Sequence, residues 1–141
     1  MHRRAVLTTA VSGLGVLGAG CSAQTADTEP VVLDSVAVRN LDSQQHTVEV
    51  DVRRDGDPFV AETVSVAGRT DETPGRETVA AVVDGTDGEP AAYTLRTRFA
   101  DEQEWMTTSV TNRLDTDCTS AEVRITESGA LGTWMGSITD C

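Results

Sequence analysis

The alternation of apolar and polar side chains with a period of two is the feature that most restricts the fold of this chain. The clearest case is the segment 47–53, in which Val48, Val50 and Val52 alternate with polar residues. Such alternation is typical of a β-strand that buries one face and exposes the other. No window of the sequence sustains a helical period, so the chain is predicted to be all-β.

Turn signals divide the sequence into seven or eight short strands. Asp55-Gly56 predicts a hairpin turn after the valine strand, and Phe59 to Val66 is predicted to return as the next strand. Further strands are predicted over 36–38, 78–83, 93–99, 105–111, 121–126 and 131–138. Short strands separated by turns roughly every 8–12 residues indicate an antiparallel β-sandwich, here preceded by an N-terminal signal segment.

The spacing of four features resembles that of the immunoglobulin-like adhesion modules of prokaryotic surface proteins. They are the turn from Asn40 to Asp42, the valine strand, Asp55-Gly56 and the strand that contains Tyr93. The resemblance covers roughly residues 31 to 100 and implies an immunoglobulin-like sandwich. A cupredoxin-like sandwich is the alternative, but a blue-copper centre needs two histidines, and only His46 follows the signal segment.

The N-terminus has the features of an export signal. Arg3 and Arg4 precede an apolar run over 5–20, which is shorter than the roughly 20 residues of a membrane-spanning helix. The segment 3–7 resembles the twin-arginine export motif, and Gly18-Ala19-Gly20-Cys21 resembles the lipobox of secreted lipoproteins. The resemblance implies that Cys21 becomes the first mature residue and receives a lipid.

These motifs divide the chain into three parts. Residues 1–20 are predicted to be a signal peptide with a lipobox, 21–30 a flexible tether, and 31–141 the β-sandwich domain. The expected location is extracytoplasmic, with the lipidated cysteine anchoring the chain to the outer face of the cell membrane.

The charge of the exported part is strongly negative. All 11 basic residues are arginine, and loss of Arg3 and Arg4 leaves nine against 23 acidic residues, a net charge of −14. Because a phosphate backbone would be repelled, nucleic acid is not expected as a partner. The acidic, lysine-free composition resembles that of proteins from halophilic archaea, where about 1 M salt shortens the screening length to ~3 Å.

With Cys21 lipidated, two cysteines remain, Cys118 and Cys141. A final hairpin with Gly129-Ala130 as its two-residue loop sets them opposite each other, which predicts a structural disulfide outside the cell. The same register predicts that Trp134 lies opposite Ile125 in the core and that Met135 lies on the outer face.

Few residues are candidates for chemistry. The sequence contains neither lysine nor a G-x-S-x-G motif, so we expect no enzyme and no cofactor. An enzyme would need His46 close to a serine and an acid in a cleft. Asp84, Asp87 and Glu89 are weak candidates for a calcium site, because their spacing departs from the EF-hand pattern.

Trp105 leaves two interpretations open. Near Asp101, Glu102 and Glu104 it is either a surface aromatic able to stack on a sugar or an ordinary residue at the rim of the sandwich. The favoured function is a non-catalytic cell-surface lipoprotein that acts as a binding or interaction module, with an envelope protein as a partner. The alternative is an extracytoplasmic small-ligand or metal-ion binding protein, which a deep apolar pocket or converging carboxylates would favour.

Overall fold

The computed structural model of the chain describes residues 29–71, 78–85, 87–112 and 116–141. The strands are β1 Leu33–Asn40, β2 His46–Arg54, β3 Asp57–Val66, β4 Val79–Asp84, β5 Tyr93–Phe99, β6 Met106–Ser109, β7 Cys118–Ile125 and β8 Leu131–Ile138. The all-β prediction is confirmed for this part of the chain. Among these residues no helix has both the length and the hydropathy of a membrane span. The predicted signal peptide 1–20, including Arg3 and Arg4, lies outside the described residues, as do Cys21 and the rest of the tether up to residue 28.

The strands form two four-stranded sheets, and their inward faces share one core, as the sandwich prediction requires. Sheet 1 has the strand order β4-β1-β7-β8, and sheet 2 has the order β3-β2-β5-β6. The pairs β2–β3, β5–β6 and β7–β8 are consecutive antiparallel neighbours, whereas the other connections pass between the sheets.

One pair of strands departs from the antiparallel prediction. β1 and β7 run parallel, with Val36 next to Ala121 and Val38 next to Val123. Sequence alternation reports which face of a strand is buried, but it does not report which strand lies beside it. The sandwich is therefore mixed rather than purely antiparallel.

On β2 the core contains the face that alternation predicted to be buried. Val48, Val50 and Val52 of β2 are at most 1% exposed, and each buried side chain of this size contributes about 1.5–3 kcal/mol of transfer free energy. The opposing sheet and β5 supply further fully buried side chains: Leu33, Val36, Val38, Tyr93, Leu95, Val123 and Ile125.

The β2–β3 hairpin has the predicted turn. Asp55 and Gly56 have φ values of 51° and 85°, as a type I′ turn requires, and Arg54 pairs with Asp57 across it. Pro58 is the second residue of β3, which is an edge strand of sheet 2, where a missing N–H is tolerated.

The final hairpin has a different register from the one that the sequence predicted. Its loop has three residues, 127–129, with Gly129 at φ 80°, and the N–H of Thr126 donates to the carbonyl of Ala130 at 2.8 Å. Ile125 consequently pairs with Leu131, and Trp134 pairs with Glu122. The predicted two-residue loop at Gly129-Ala130 is therefore wrong.

Because of the change of register, each side chain of β8 lies on the face opposite to the one predicted. Trp134 lies on the outer face and is 41% exposed, while Met135 packs against the core, so both predictions were wrong. The disulfide between Cys118 and Cys141 is nevertheless present, with a Cα–Cα distance of 6.1 Å. Cys141 follows β8 and a left-handed Asp140 at φ 62°, so the chain turns back toward β7. Such a bridge contributes about 3 kcal/mol in the chain-entropy account.

Candidate functional site

The two ends of the sandwich carry different loops. β1, β3, β5 and β7 finish at one end, called the distal end here, where the described loop segments are 41–45, 67–71, 100–105 and 126–130. The chain enters at the opposite, proximal end, where Val31 pairs with Ala91. The distal loops therefore lie far from the point where the N-terminal segment joins the domain.

A cleft of about 430 Å³ opens at the distal end, between the loop that connects β5 to β6 and the loop that connects β7 to β8. It is called the distal cleft, and its lining residues are Thr97, Arg98, Phe99, Glu102, Glu104, Trp105, Met106, Gly129, Ala130 and Leu131. Its volume falls in the range of small-molecule sites, and its mixture of aromatic and polar side chains is typical of a recognition surface.

Trp105 is held in place by two arginines of β5. The guanidinium carbons of Arg96 and Arg98 lie 4.7 and 4.4 Å from its ring centroid. Each arginine is paired in turn with an acid of β2: Arg96 donates to Asp51 at 3.1 Å, and Arg98 donates to Glu49. Cation–π contacts and charge-assisted hydrogen bonds thus fix the ring before any ligand arrives.

The distal cleft combines two kinds of contact group. Trp105 and Phe99 supply aromatic surface, and Glu102 and Glu104 supply exposed carboxylates at the rim. The hydroxyl of Thr97 is not a third such group: Thr97 pairs with the core residue Val50 and is only 1% exposed, so its side chain faces the core rather than the cleft.

A second cleft of about 440 Å³ lies on the other side of Phe99 and is lined by residues 45–47 and 99–101. His46 lies against Phe99, with 5.1 Å between the ring centroids. Its Nε2 atom is 2.6 Å from Oδ2 of Asp42. This hydrogen bond lowers the pKa of Asp42, and the amides of Gln44 and Ser43 add to the effect against the opposing desolvation.

The order of groups around His46 differs from that of a serine-hydrolase triad. The Ser43 hydroxyl donates to Oδ1 of Asp42 at 3.4 Å, so the carboxylate stands between the serine and the imidazole. In a triad the imidazole stands between the serine and the acid. The described residues therefore place an acid beside His46, but they do not form the serine–imidazole–acid arrangement of a triad.

The calcium candidates lie at the proximal end and do not converge. Asp87 accepts a hydrogen bond at 2.9 Å from Arg54, which lowers the pKa of that carboxyl, and its other oxygen accepts the Glu89 N–H at 3.1 Å. Asp84 ends β4, opposite Ser35 of β1. Nowhere in the described residues are three His, Cys, Asp or Glu side chains grouped to hold a metal.

Sequence reasoning missed the distal cleft because its walls come from loops of different sheets. A usable signal existed, since Arg96 and Arg98 alternate along one strand as Glu49 and Asp51 do along another. Such complementary charges on their outer faces favour the pairing of these two strands side by side, with Trp105 close to both arginines.

Comparison of the chain with protein families, curated proteins and solved structures found no match.

The Asp42–His46 hydrogen bond predicts a specific dependence of stability on acid. Because the pKa of Asp42 is lowered in the folded protein, the Asp42 carboxylate binds a proton more readily in the unfolded chain than in the folded one. The stabilisation is complete above the unfolded pKa of about 4 and is lost as the pH falls through the lower folded pKa. Asp42→Asn should therefore be less stable than the unmodified protein at about pH 5, with a difference that shrinks toward about pH 2.

Urea unfolding at molar salt across this pH range measures the difference in free energy of unfolding between Asp42→Asn and the unmodified protein. The exposed Asp101→Asn removes a carboxylate without touching the hydrogen bond to His46, and it serves as the matched control. A difference between Asp42→Asn and the unmodified protein that stays constant over the whole range would contradict the prediction.

Proposed function

We propose that this chain is a non-catalytic cell-surface lipoprotein whose β-sandwich acts as a binding module of the cell envelope. In this proposal the segment 1–20 directs export, and a lipid on Cys21 anchors the chain to the outer face of the membrane. The position of the distal cleft carries the proposal, since it lies at the end opposite to the Val31–Ala91 bridge where the chain enters. A lipid anchor at Cys21 would therefore point the distal cleft away from the membrane.

The character of the distal cleft supports binding rather than catalysis. Its largest side chain, Trp105, is already fixed by Arg96 and Arg98, which reduces the entropy lost on association. Aromatic side chains held in this way are frequent energetic centres of protein interfaces. The rim carboxylates of Glu102 and Glu104 suit an envelope partner that offers hydrogen-bond donors beside an apolar surface.

The proposal extends to the class of sandwich and to the source of the chain. An immunoglobulin-like sandwich is supported by the eight strands in two sheets and by the Asp55-Gly56 hairpin. A halophilic archaeal source, with export by the twin-arginine route, is supported by Arg3-Arg4 and by the absence of lysine from an acidic chain.

A small-ligand binding protein is the second candidate. It is favoured by the volume of the distal cleft, about 430 Å³. A metal-ion version has less support, because Asp87 is already engaged by Arg54. A rise in melting temperature on adding the dialysable fraction of an envelope extract, absent in Trp105→Ala, would favour the small ligand.

Anchoring is tested by Cys21→Ser. The unmodified protein should remain with the membrane fraction in molar salt and partition into detergent, whereas Cys21→Ser should be released to the medium, because the acceptor thiol is lost. Ser22→Ala keeps the thiol and is the control expected to stay with the membrane. Retention of Cys21→Ser in the membrane fraction would refute the lipid anchor.

Binding is tested with the released Cys21→Ser protein on isolated envelopes at molar salt. Saturable binding is expected, and Trp105→Ala should weaken it at least about tenfold, since it removes the central aromatic contact. Phe59→Ala is the matched control, because Phe59 is an exposed aromatic under an arginine, Arg54, on the hairpin at the proximal end. Equal affinity of Trp105→Ala and Phe59→Ala would exclude the distal cleft as the contact site.

A further inference from the structure

The four edge strands of the sandwich are protected to different degrees. An edge strand exposes N–H and C=O groups that can pair with another chain, and proteins commonly block it with charge, proline or short length. In β3, Pro58 interrupts the edge, and Glu62 stands opposite the core residue Val50 and so points inward. β4 ends in Asp84, and β6 has only four residues.

β8 lacks all of these protections. It runs for eight residues, Leu131–Ile138, without a charged side chain or a proline, although 24% of the residues in the chain are charged. Its pairing with β7 contains no bulge, and no described strand lies on its other side. Among the eight described strands only β6 and β8 carry no charge, and both border the same side of the sandwich.

The hydrogen-bond pattern identifies the backbone groups at the outer edge of β8. The Thr126–Ala130 pair is hydrogen-bonded, and hydrogen-bonded pairs alternate along an antiparallel ladder. Even-numbered residues of β8 therefore direct their N–H and C=O groups toward β7. The odd-numbered residues direct theirs toward the open edge: Leu131, Thr133, Met135 and Ser137.

We propose that β8 pairs in antiparallel orientation with β8 of a second copy of this chain, about a two-fold axis at Trp134. This pairing joins the two copies of sheet 1 into one sheet of eight strands. Thr133 then forms a hydrogen-bonded pair with Met135 of the second copy, and Leu131 pairs with Ser137 in the same way. Trp134 faces its own counterpart in a non-hydrogen-bonded pair.

The charge of the chain favours this edge over its acidic surfaces as the place where two copies meet. Each copy carries a net charge of −12 before processing, so two copies repel each other wherever acidic faces approach. Because β8 carries no charged side chain, pairing at this edge places no like charges directly opposite each other on the two strands. The two-fold axis also makes the contact self-complementary, because one set of backbone donors and acceptors serves both copies.

The glycines of β8 leave room for both tryptophan rings. A Cβ on Gly132 would lie 2.7 Å from Cζ3 of Trp134, so the ring covers this glycine, and the Arg124 guanidinium carbon lies 4.5 Å from the ring centroid. In the proposed register Gly132 faces the exposed Gly136 of the second copy. Each ring therefore lies over a pair of glycines, and the two rings lean away from each other.

The pairing has a consequence for orientation. Because the two strands run antiparallel, the distal ends of the two copies point in opposite directions. If Cys21 also anchors each copy as proposed above, the two anchors of a pair lie at opposite ends of the dimer. This arrangement suits copies anchored in two facing membranes better than copies anchored in the same membrane. The self-pairing itself rests on neither the lipid anchor nor the distal cleft.

Cysteine cross-linking tests the pairing and its register. In the full chain with Cys21→Ser, held in mild detergent at molar salt, Trp134→Cys should form a disulfide-linked dimer on mild oxidation. Self-opposed residues of a non-hydrogen-bonded pair have Cα atoms about 4.5 Å apart, within the range of a disulfide. In the proposed register, position 133 of one copy lies opposite position 135 of the other, so Thr133→Cys alone and Met135→Cys alone bring no two cysteines together. Thr63→Cys lies on the edge strand β3, at the opposite side of the sandwich. All three single variants should therefore remain monomeric. Absence of a Trp134→Cys dimer, or equal cross-linking by the controls, would overturn the proposal.

Sedimentation equilibrium supplies a second test that leaves Trp134 in place. Ser137→Pro removes an N–H at the open edge while keeping the ladder to β7, so it should raise the dissociation constant of the dimer at least about tenfold. Ser137→Ala should match the unmodified protein, and a cooperative melt confirms that each variant is folded. Equal association of Ser137→Pro and Ser137→Ala, or monomers throughout up to about 100 µM, would overturn the pairing.

Discussion

The buried amide of Asn40 is the contact on which the distal end of this sandwich depends. Asn40 ends β1 in sheet 1, is 0% exposed and accepts the Asp42 N–H through Oδ1. The two hydrogens of its amide nitrogen are shared among three carbonyls within hydrogen-bond distance, those of Gln44, Val66 and Ala67. Val66 ends β3 in sheet 2, so one side chain joins the two sheets where their loops cross. Gly68 permits the crossing, because a Cβ there would collide with the backbone of loop 41–45.

The candidate sites depend on this crossing of the distal loops. They also depend on ion pairs between arginines and acidic residues on the outer faces of both sheets. The Asn40 hydrogen bond to the Asp42 amide fixes the turn that presents the Asp42 carboxylate to His46. On sheet 1, burial alone would raise the pKa of Glu122, but hydrogen bonds from Arg124 and Arg39 outweigh it and lower that pKa. Arg124 also covers Trp134, as Arg96 and Arg98 cover Trp105 on sheet 2. In an acidic chain without lysine, arginine thus both neutralises carboxylates and fixes the two tryptophans.

The sequence predicted the fold where local pattern decides it and failed where long-range contacts decide it. Alternation identified the buried face of β2, and Asp55-Gly56 identified its hairpin, because both depend on neighbouring residues. The loop at Gly129 was misjudged by one residue, since a glycine with positive φ fits loops of two or three residues equally well. That error exchanged the faces of β8. The parallel β1–β7 pair and the distal cleft join segments far apart in the chain, which no local pattern reports.

The most direct test of this account is the free energy of unfolding of Asn40→Ala in urea at molar salt, beside Asn112→Ala as the matched control. Asn112 hydrogen-bonds within its own loop to Thr116, so its loss should cost only about 1 kcal/mol. Loss of Asn40 leaves three carbonyls without this donor where the sheets meet, so it should cost at least about 3 kcal/mol. The exchange of amide hydrogens in loop 41–45 should also quicken. An Asn40→Ala protein as stable as Asn112→Ala would contradict the claim that this amide holds the two sheets together at their distal end.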